Sequence, residues 1–273
     1  MTDTLIDDQP IAPPPPPLVD FGVAAADYGK HRIGHPDETF DRLAQRFGIG
    51  LPGQDVVDLG TGTGAAARVL AGRGARVIGL DPSPDLLAEA ARLAAAAGVT
   101  VDWRHAAAER TGLPDACADA VTVAQAWHWF DRPRAAAEVR RILRPGGAIA
   151  IIHTDWLPQP GNLVERTLAI AAEQGSTYHP PDFGLYHHGI YPYWPDDLAA
   201  AGFTGIELFG FDLTQRYTHA GWAGRMRASA LVSTMPADGR AAFERELLRY
   251  LAAHHPDPME VPHRAFAVIG RRR

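Results

Sequence analysis

The rhythm of apolar and polar positions changes along the 273-residue chain. Residues 1–20 have no period; they carry acids and the run Pro13–Pro17, which favours extended polyproline II, and are read as a disordered tail. A short helix is expected over 21–31. Pro36 then stands at a helix start, Asp37 and Glu38 follow, and Phe40, Leu43 and Phe47 recur on one face. From Asp55 short apolar runs alternate with helical stretches. The runs predict strands at Val56–Leu59, Arg76–Leu80, Val99–Trp103, Ala120–Ala124 and Ala148–His153. Helices are expected at Ala65–Ala71, from Ser83 to about Ala97, and at Arg134–Leu143. Ser83-Pro84-Asp85 is a start signal, and Gly72, Gly74 and Gly98 are stops. Such alternation predicts a parallel sheet with helices on both faces.

After His153 the pattern breaks. Residues 154–194 are rich in Pro, Gly, Tyr and His and read as a cap or lid. A helix at Pro195–Ala201, a strand at Gly205–Phe211, helices near His219–Val232 and Ala237–His254, and a strand at Ala265–Gly270 complete the reading.

Composition narrows the function. Hydrophobic residues make up 46% and charged residues 21%, which excludes a wholly disordered or collagen-like chain. The net charge of −6 offers no positive field to a nucleic-acid backbone, so no nucleic-acid partner is expected. The single cysteine, Cys117, excludes an internal disulfide and a cysteine metal cluster, and fits a reducing cytoplasm, the expected location. The longest apolar stretches, such as Ala148–Ile152, are too short for a bilayer, and no secretory signal or membrane partner is expected.

The candidate chemistry starts at Gly60-Thr61-Gly62-Thr63-Gly64, between a strand and a helix. Glycines permit a tight turn and close backbone approach, and a helix N-terminus offers N–H groups to a ligand. Gly60-x-Gly62-x-x-Ala65 also satisfies the loose dinucleotide fingerprint. Asp58 precedes the loop inside an apolar strand. Asp81 ends the next strand, 21 residues after Gly60, where an acid can bind ribose hydroxyls.

With these residues the chain resembles the class I S-adenosylmethionine-dependent methyltransferases. Val-Val-Asp58-Leu-Gly60-Thr-Gly62-Thr-Gly64 is similar to their first motif and Gly-Leu-Asp81-Pro82-Ser to their second. Ala108-Glu109 with Gly112-Leu-Pro-Asp115 resembles the segment along the adenine, and Ile142-Leu-Arg-Pro145-Gly-Gly147 the turn into the fifth strand. Ala107 departs from the Asp that many relatives carry there. Ala124-Gln125-Ala-Trp-His128-Trp-Phe-Asp131 and Tyr28-Gly-Lys-His-Arg32 resemble a subgroup that includes trans-aconitate methyltransferases, which act on small, often carboxylate-bearing molecules. The resemblance implies an α/β, Rossmann-like, mostly parallel seven-stranded sheet with a cap inserted after the fifth strand. It implies one domain over 21–273, with a cofactor-binding core at 50–153 and substrate-side segments at 154–194 and 212–260. It implies S-adenosylmethionine as cofactor, a small-molecule methyl acceptor, and cofactor contacts at Tyr28, Arg32, Asp58, Gly60, Thr61, Gly62, Gly64, Asp81, Pro82, Ala108, Glu109 and Gln125. Gly60–Gly64 would hold the cofactor's amino-acid end, Asp81 its ribose, and Tyr28 and Arg32 would close over it.

His128 and His153 follow the fourth and fifth strands, on the edge where open α/β sheets bind ligands, and are the catalytic candidates as proton acceptors. For His128 the competing reading is a histidine wedged between Trp127 and Trp129. A carboxylate acceptor needs no base, whereas a hydroxyl or carbon acceptor benefits from one. Tyr178, Phe183, Tyr186, Tyr191, Tyr193 and Trp194 suit a substrate wall or a loop core. His187 and His188 with His153 and Asp155 form a weak metal pattern, and no metal is expected. Arg225 and Arg227 read as a solvated face, with contact to an anionic substrate as the other option, and Trp222 reads as core. A nicotinamide-dependent oxidoreductase and a non-catalytic cofactor-binding subunit are the alternative functions; Asp58 within the strand and Gly64 argue against the first.

Overall fold

Seven strands join into one sheet of order β3-β2-β1-β4-β5-β7-β6 in a computed structural model that describes residues 34–177, 191, 193–233 and 235–273. They are β1 (Asp55–Leu59), β2 (Arg76–Asp81), β3 (Asp102–His105), β4 (Ala118–Ala124), β5 (Leu143–Trp156), β6 (Thr204–Tyr217) and β7 (Met259–Arg271). The first five run parallel, and β7 is antiparallel to both β5 and β6. Chain order reverses between β1 and β4, which lie side by side. In open α/β sheets ligands bind at such a switch point, beyond the strands' C-terminal ends.

Local signals explain the elements. The helix Asp37–Phe47 follows Pro36, buries Phe40, Leu43 and Phe47, and ends on Gly48 at φ 68°. Ser83 caps Pro84–Ala96 by accepting the Leu86 amide. Val56 packs into the apolar layer on one sheet face with Leu70 and Phe47, and Val57 into the opposite layer with Leu113 and Val139. β1 is thus covered on both sides, as an interior parallel strand must be.

Several boundaries differ from the periodic expectation. β3 begins at Asp102, because the Val99 amide still bonds Ala94 and Gly98 caps the preceding helix at φ 68°. β5 starts at Leu143 and encloses the expected turn as an irregularity. Ala118 faces Leu143 and Ala120 faces Ala148, with Gly146 at φ 80° between. β6 and β7 are far longer than expected and pair from Thr204↔Arg271 to Tyr217↔Met259. Within the expected irregular stretch 154–194, Leu163–Glu173 is helical, with Asn162 accepting the Glu165 amide at 2.9 Å. The helix expected over 219–232 divides into His219–Arg227 and Ala230–Ser233. The tail, the 21–31 helix, Tyr28, Arg32, and residues 178–190 with Tyr178, His179, Phe183, Tyr186, His187 and His188 lie outside the described residues.

A third apolar cluster stands apart from the two sheet faces. Trp156, Val164, Trp222, Met226, Phe243 and Leu247 are among its buried members. The helix Trp194–Ala200 is fixed to the sheet by a polar tie: the Trp127 indole N–H donates to Asp197 at 3.0 Å, with Arg132 3.5 Å from the same carboxylate. Among the described residues no helix is long and apolar enough to cross a membrane.

The Trp127 tie gives a test of the fold. Trp127→Phe keeps an aromatic ring in a fully buried position but removes the donor. A hydrogen bond to a charged group contributes about 1.5–3 kcal/mol. Urea unfolding of the variant should show a loss in that range, and an unchanged midpoint contradicts the tie.

Candidate functional site

β1 delivers Asp58 into a sealed space beneath the glycine loop. Its side chain is completely buried, one oxygen accepting the Thr61 hydroxyl and the other the Thr122 hydroxyl, each at 2.6 Å. Burial pushes its carboxyl up to about 6, against the opposing pull of the Thr122 and Thr61 hydroxyls. Asp58 was expected to touch the cofactor. In this fold both of its oxygens are taken by hydroxyls, and the carboxylate ties the loop to β4.

The loop above it is held by its own amides. Thr61 N–H donates to the Leu80 carbonyl at 2.9 Å, Gly62 N–H to Asp81 at 2.8 Å, and Gly64 N–H to the Thr61 carbonyl at 2.8 Å. Arg68 reaches back to the Thr63 carbonyl. These three amides therefore serve the loop itself. Gly60 is at φ 61°, and a Cβ there would stand 2.7 Å from Ala126 and 2.9 Å from the Phe130 ring. The absence of a side chain lets the segment after β4 close against the loop. At Gly62, φ 55°, a Cβ would meet nothing within 4 Å, so the loop's outer side is open.

Asp81 closes β2 beside this opening. One oxygen takes the Gly62 N–H and the other the Ser83 N–H at 2.9 Å, while burial raises its carboxyl above the usual range. Each oxygen keeps a second lone pair, so the carboxylate is oriented and can still accept hydroxyls of a vicinal diol. This donor and acceptor set fits a ribose-bearing cofactor. Pro82 is exposed next to it, with its carbonyl 2.9 Å from His105 Nε2. Ala108 is buried, and Glu109 accepts the Asp131 amide at 2.8 Å, joining the segment after β3 to that after β4. Gln125 has φ 58°, and its side-chain amide donates to the Thr154 carbonyl. A non-glycine residue at positive φ beside a ligand edge is a recurrent mark of a functional site.

The two candidate histidines come together. His128 lies on the 3-10 turn Trp127–Trp129, and its ring centre is 5.7 Å from that of His153 at the end of β5. His128 is not wedged between its neighbours: it stacks on Tyr191 at 5.7 Å and tilts against Trp129 at 4.7 Å, while Trp127 turns into the core. His153 is 4% exposed and stands edge-on to Tyr191 and Trp194, which stack on each other at 4.3 Å. Its Nε2 is 3.5 Å from Asp155 Oδ2, and its Nδ1 is buried with no hydrogen-bond partner among the described residues. An Nε2–H directed at a carboxylate leaves the lone pair on Nδ1. Among the described residues no group of three side chains suited to a metal ion is gathered.

Sequence reasoning missed Thr122, whose only signal is a hydroxyl in the apolar run Ala-Val-Thr-Val-Ala. It also missed Asp197, whose partner is remote in sequence. Arg225 corrects the solvated-face reading: it is 9% exposed, whereas Arg227 is exposed and bonded to Glu244.

Comparison with known proteins agrees with this geometry. A family model described as a methyltransferase domain matches residues 57–151. An uncharacterised methyltransferase of Mycobacterium tuberculosis is 38% identical over 152 residues, covering 54% of this chain and 59% of the relative. The match thus spans a little over half the length of that relative. A demethylmenaquinone methyltransferase of Clavibacter sepedonicus is 30% identical over 176 residues, covering 58% of this chain and 68% of the relative. A solved structure described as a type II methyltransferase candidate, from Anaeromyxobacter dehalogenans, superposes with a TM-score of 0.63 at 27% identity, covering 88% of this chain and 97% of that one. The chain belongs to the class I S-adenosylmethionine-dependent methyltransferase family.

The enclosure of Asp58 makes a signed prediction. Its folded value, about 6, lies above the unfolded value of 3.8, so the folded chain binds the proton more tightly. The resulting stabilisation is complete below the unfolded value and is lost as pH rises through about 6. A shift of about two units corresponds to a loss on the order of 3 kcal/mol. Asp58→Asn cannot titrate. The stability of the wild type minus that of the variant, from urea unfolding, should fall across this window; a flat or rising difference contradicts the assignment.

Proposed function

We propose that this chain transfers the methyl group of S-adenosylmethionine to oxygen or carbon of a small-molecule acceptor, with His153 as the base. The observation that carries the base assignment is the Asp155–His153 pair, with a buried Nδ1 that has no hydrogen-bond partner among the described residues. The cofactor supplies an electrophilic methyl on a sulfonium. The protein's part is to align the acceptor behind that methyl, exclude water and take a proton.

Asp81 would hold the ribose hydroxyls, the open side of Thr61–Gly62 would take the amino-acid end, and Ala108, Glu109 and Gln125 would border the adenine and methyl. Gly60 and Gly64 shape that loop, and Tyr28 and Arg32 would close over it. The acceptor's proton would pass to His153 Nδ1 as the carbon–oxygen or carbon–carbon bond forms, S-adenosylhomocysteine being the leaving group. Asp155 steadies the imidazolium that results. His128, stacked on Tyr191, would form the acceptor's wall and stand as the alternative base. The third apolar cluster would be the body of a substrate-side cap, which fits a domain reading of core 50–153 with segments 154–194 and 212–260 above it. The demethylmenaquinone methyltransferases among the relatives support a small acceptor.

Two measurements test this. S-adenosylhomocysteine at 100 times its dissociation constant should add about 2.7 kcal/mol to stability, and NAD nothing. Asp81→Ala should lose roughly 1.5–3 kcal/mol of that affinity per lost hydrogen bond before compensation. Stabilisation by NAD alone, or unchanged affinity in Asp81→Ala, contradicts the cofactor assignment.

Carboxylic acids, phenols and quinols screened for release of S-adenosylhomocysteine should yield an acceptor; release with none of them supports a non-catalytic subunit. With that acceptor, His153→Ala should slow single turnover by about 10²–10⁴ while cofactor affinity stays near wild type. A folded variant with normal turnover removes His153 from the chemistry.

A further inference from the structure

β5 outruns its neighbour. The β4–β5 pairing ends at Ala124↔Ile152, whereas β5 goes on to Trp156 and stays paired with β7 as far as Trp156↔His263. Residues 153–156 therefore have a strand on one side, and among the described residues no strand lies along the other. His153 and Asp155 stand on this extension. In a strand the carbonyls of residues two apart point to the same side. The Ile152 carbonyl faces β4, so the Thr154 carbonyl faces the gap beyond the end of β4.

Gln125, the residue after β4, fills that gap. Its backbone N–H donates to the Ile152 carbonyl at 2.8 Å, and its side-chain amide donates to the Thr154 carbonyl. A carbonyl only accepts, so the nitrogen end of the amide is the end that faces Thr154. One residue thus grips the strand on both sides of His153. The grip requires an unusual backbone: Gln125 is at φ 58°, one of two non-glycine residues at positive φ among those described. Such a conformation persists where the surroundings hold it, and it concentrates at working sites. The Thr154 hydroxyl is held as well, 3.1 Å from His35 Nδ1. Ala126, next in the chain, puts its methyl group where a Gly60 side chain would stand. Two consecutive residues therefore connect the glycine loop to the strand that carries His153.

We propose that Gln125 is a positioning residue for the base: by holding the carbonyls on both sides of His153 it keeps that imidazole on Asp155 and in register with the glycine loop. This rests on the reading of His153 as the base. At 3.5 Å the contact between His153 Nε2 and Asp155 is at the long limit of a hydrogen bond, so a small displacement of the strand breaks it. With that contact goes the preference for a proton on Nε2, and Nδ1 is no longer kept as the acceptor. Gln125 takes no part in the proton transfer itself; it acts through the strand.

Imidazole nitrogen chemical shifts, from long-range proton–nitrogen correlation spectra of the full chain, report which ring nitrogen carries the proton and need no acceptor. The His153 signals are assigned by their loss in His153→Ala. In alkaline buffer the wild type should show a single His153 tautomer with the proton on Nε2. Gln125→Gly removes the side-chain donor and relieves the backbone angle. Its melting temperature should stay near that of the wild type, while the two His153 nitrogen shifts converge towards a mixture of tautomers. Single turnover with the screened acceptor should slow about 10–10²-fold, with affinity for S-adenosylhomocysteine within about threefold of wild type. Gln125→Asn tolerates positive φ but is one methylene shorter; it should do the same, and it replaces the glycine variant if that does not fold. A wild type already present as a mixture of tautomers overturns the proposal. So do unchanged nitrogen shifts in the variants, whether or not stability or turnover falls, because the effect then does not pass through His153. Converged shifts with unchanged turnover, where His153→Ala is slow, overturn it as well. Normal turnover in His153→Ala instead removes the base reading, and the nitrogen shifts still decide whether Gln125 places the ring.

Discussion

Thr61 and Thr122 meet at one buried carboxylate, and the geometry of the ligand edge follows from that meeting. Asp58 has both oxygens occupied within an enclosure that raises its proton affinity. The arrangement fixes Thr61 over the end of β1 and draws β4 in behind it. With Thr61 placed, its amide reaches Leu80, the Gly62 amide reaches Asp81, and the loop closes at Gly64. Two acids at neighbouring strand ends thus share the labour: Asp58 builds the loop from beneath, and Asp81 steadies it from the side while keeping lone pairs for a ligand. A buried ionisable group is unfavourable for stability, and here that penalty maintains a loop with three of its amides already satisfied.

The segment after β4 depends on the same loop. Gly60 lacks the side chain that would collide with Ala126 and Phe130, so the turn carrying His128 can press against the glycine loop. Trp127 then anchors the helix Trp194–Ala200 through Asp197, and that helix brings Trp194 over His153. From the glycine loop to the aromatic wall the connection is continuous packing and hydrogen bonding, which is how a rigid scaffold holds a reacting group within reach.

Much of this was legible in the sequence, for a physical reason. Parallel strands and their helices have short, distinct periods, and the glycine loop needs backbone angles that few residues adopt, so β1, β2, β4 and the Gly60–Gly64 turn could be placed from the chain alone. The misplacements share a cause. β6 lies at the sheet edge, and β5 carries an irregularity at Gly146, so the lengths of these strands depend on pairing with remote β7. The enclosure of Asp58 was not legible, because sequence shows neighbours and not what closes over a side chain. Arg225 looked solvated because a helix buried at consecutive positions from Trp222 to Met226 shows no apolar stripe to separate inside from outside. His153 was found from its place after a strand, but its partner geometry with Asp155 needed the fold.

The central claim is that the loop is built before any ligand arrives, by hydrogen bonds from its own amides to Leu80, Asp81 and Thr61. Amide hydrogen exchange on the ligand-free chain tests it residue by residue. Protection of the Thr61, Gly62 and Gly64 amides, comparable with that of the β1 ladder, is the result expected of a preformed loop. Exchange of all three at the rate of an unstructured chain, with protection appearing only when S-adenosylhomocysteine is added, would mean that the ligand assembles the loop and would contradict the account.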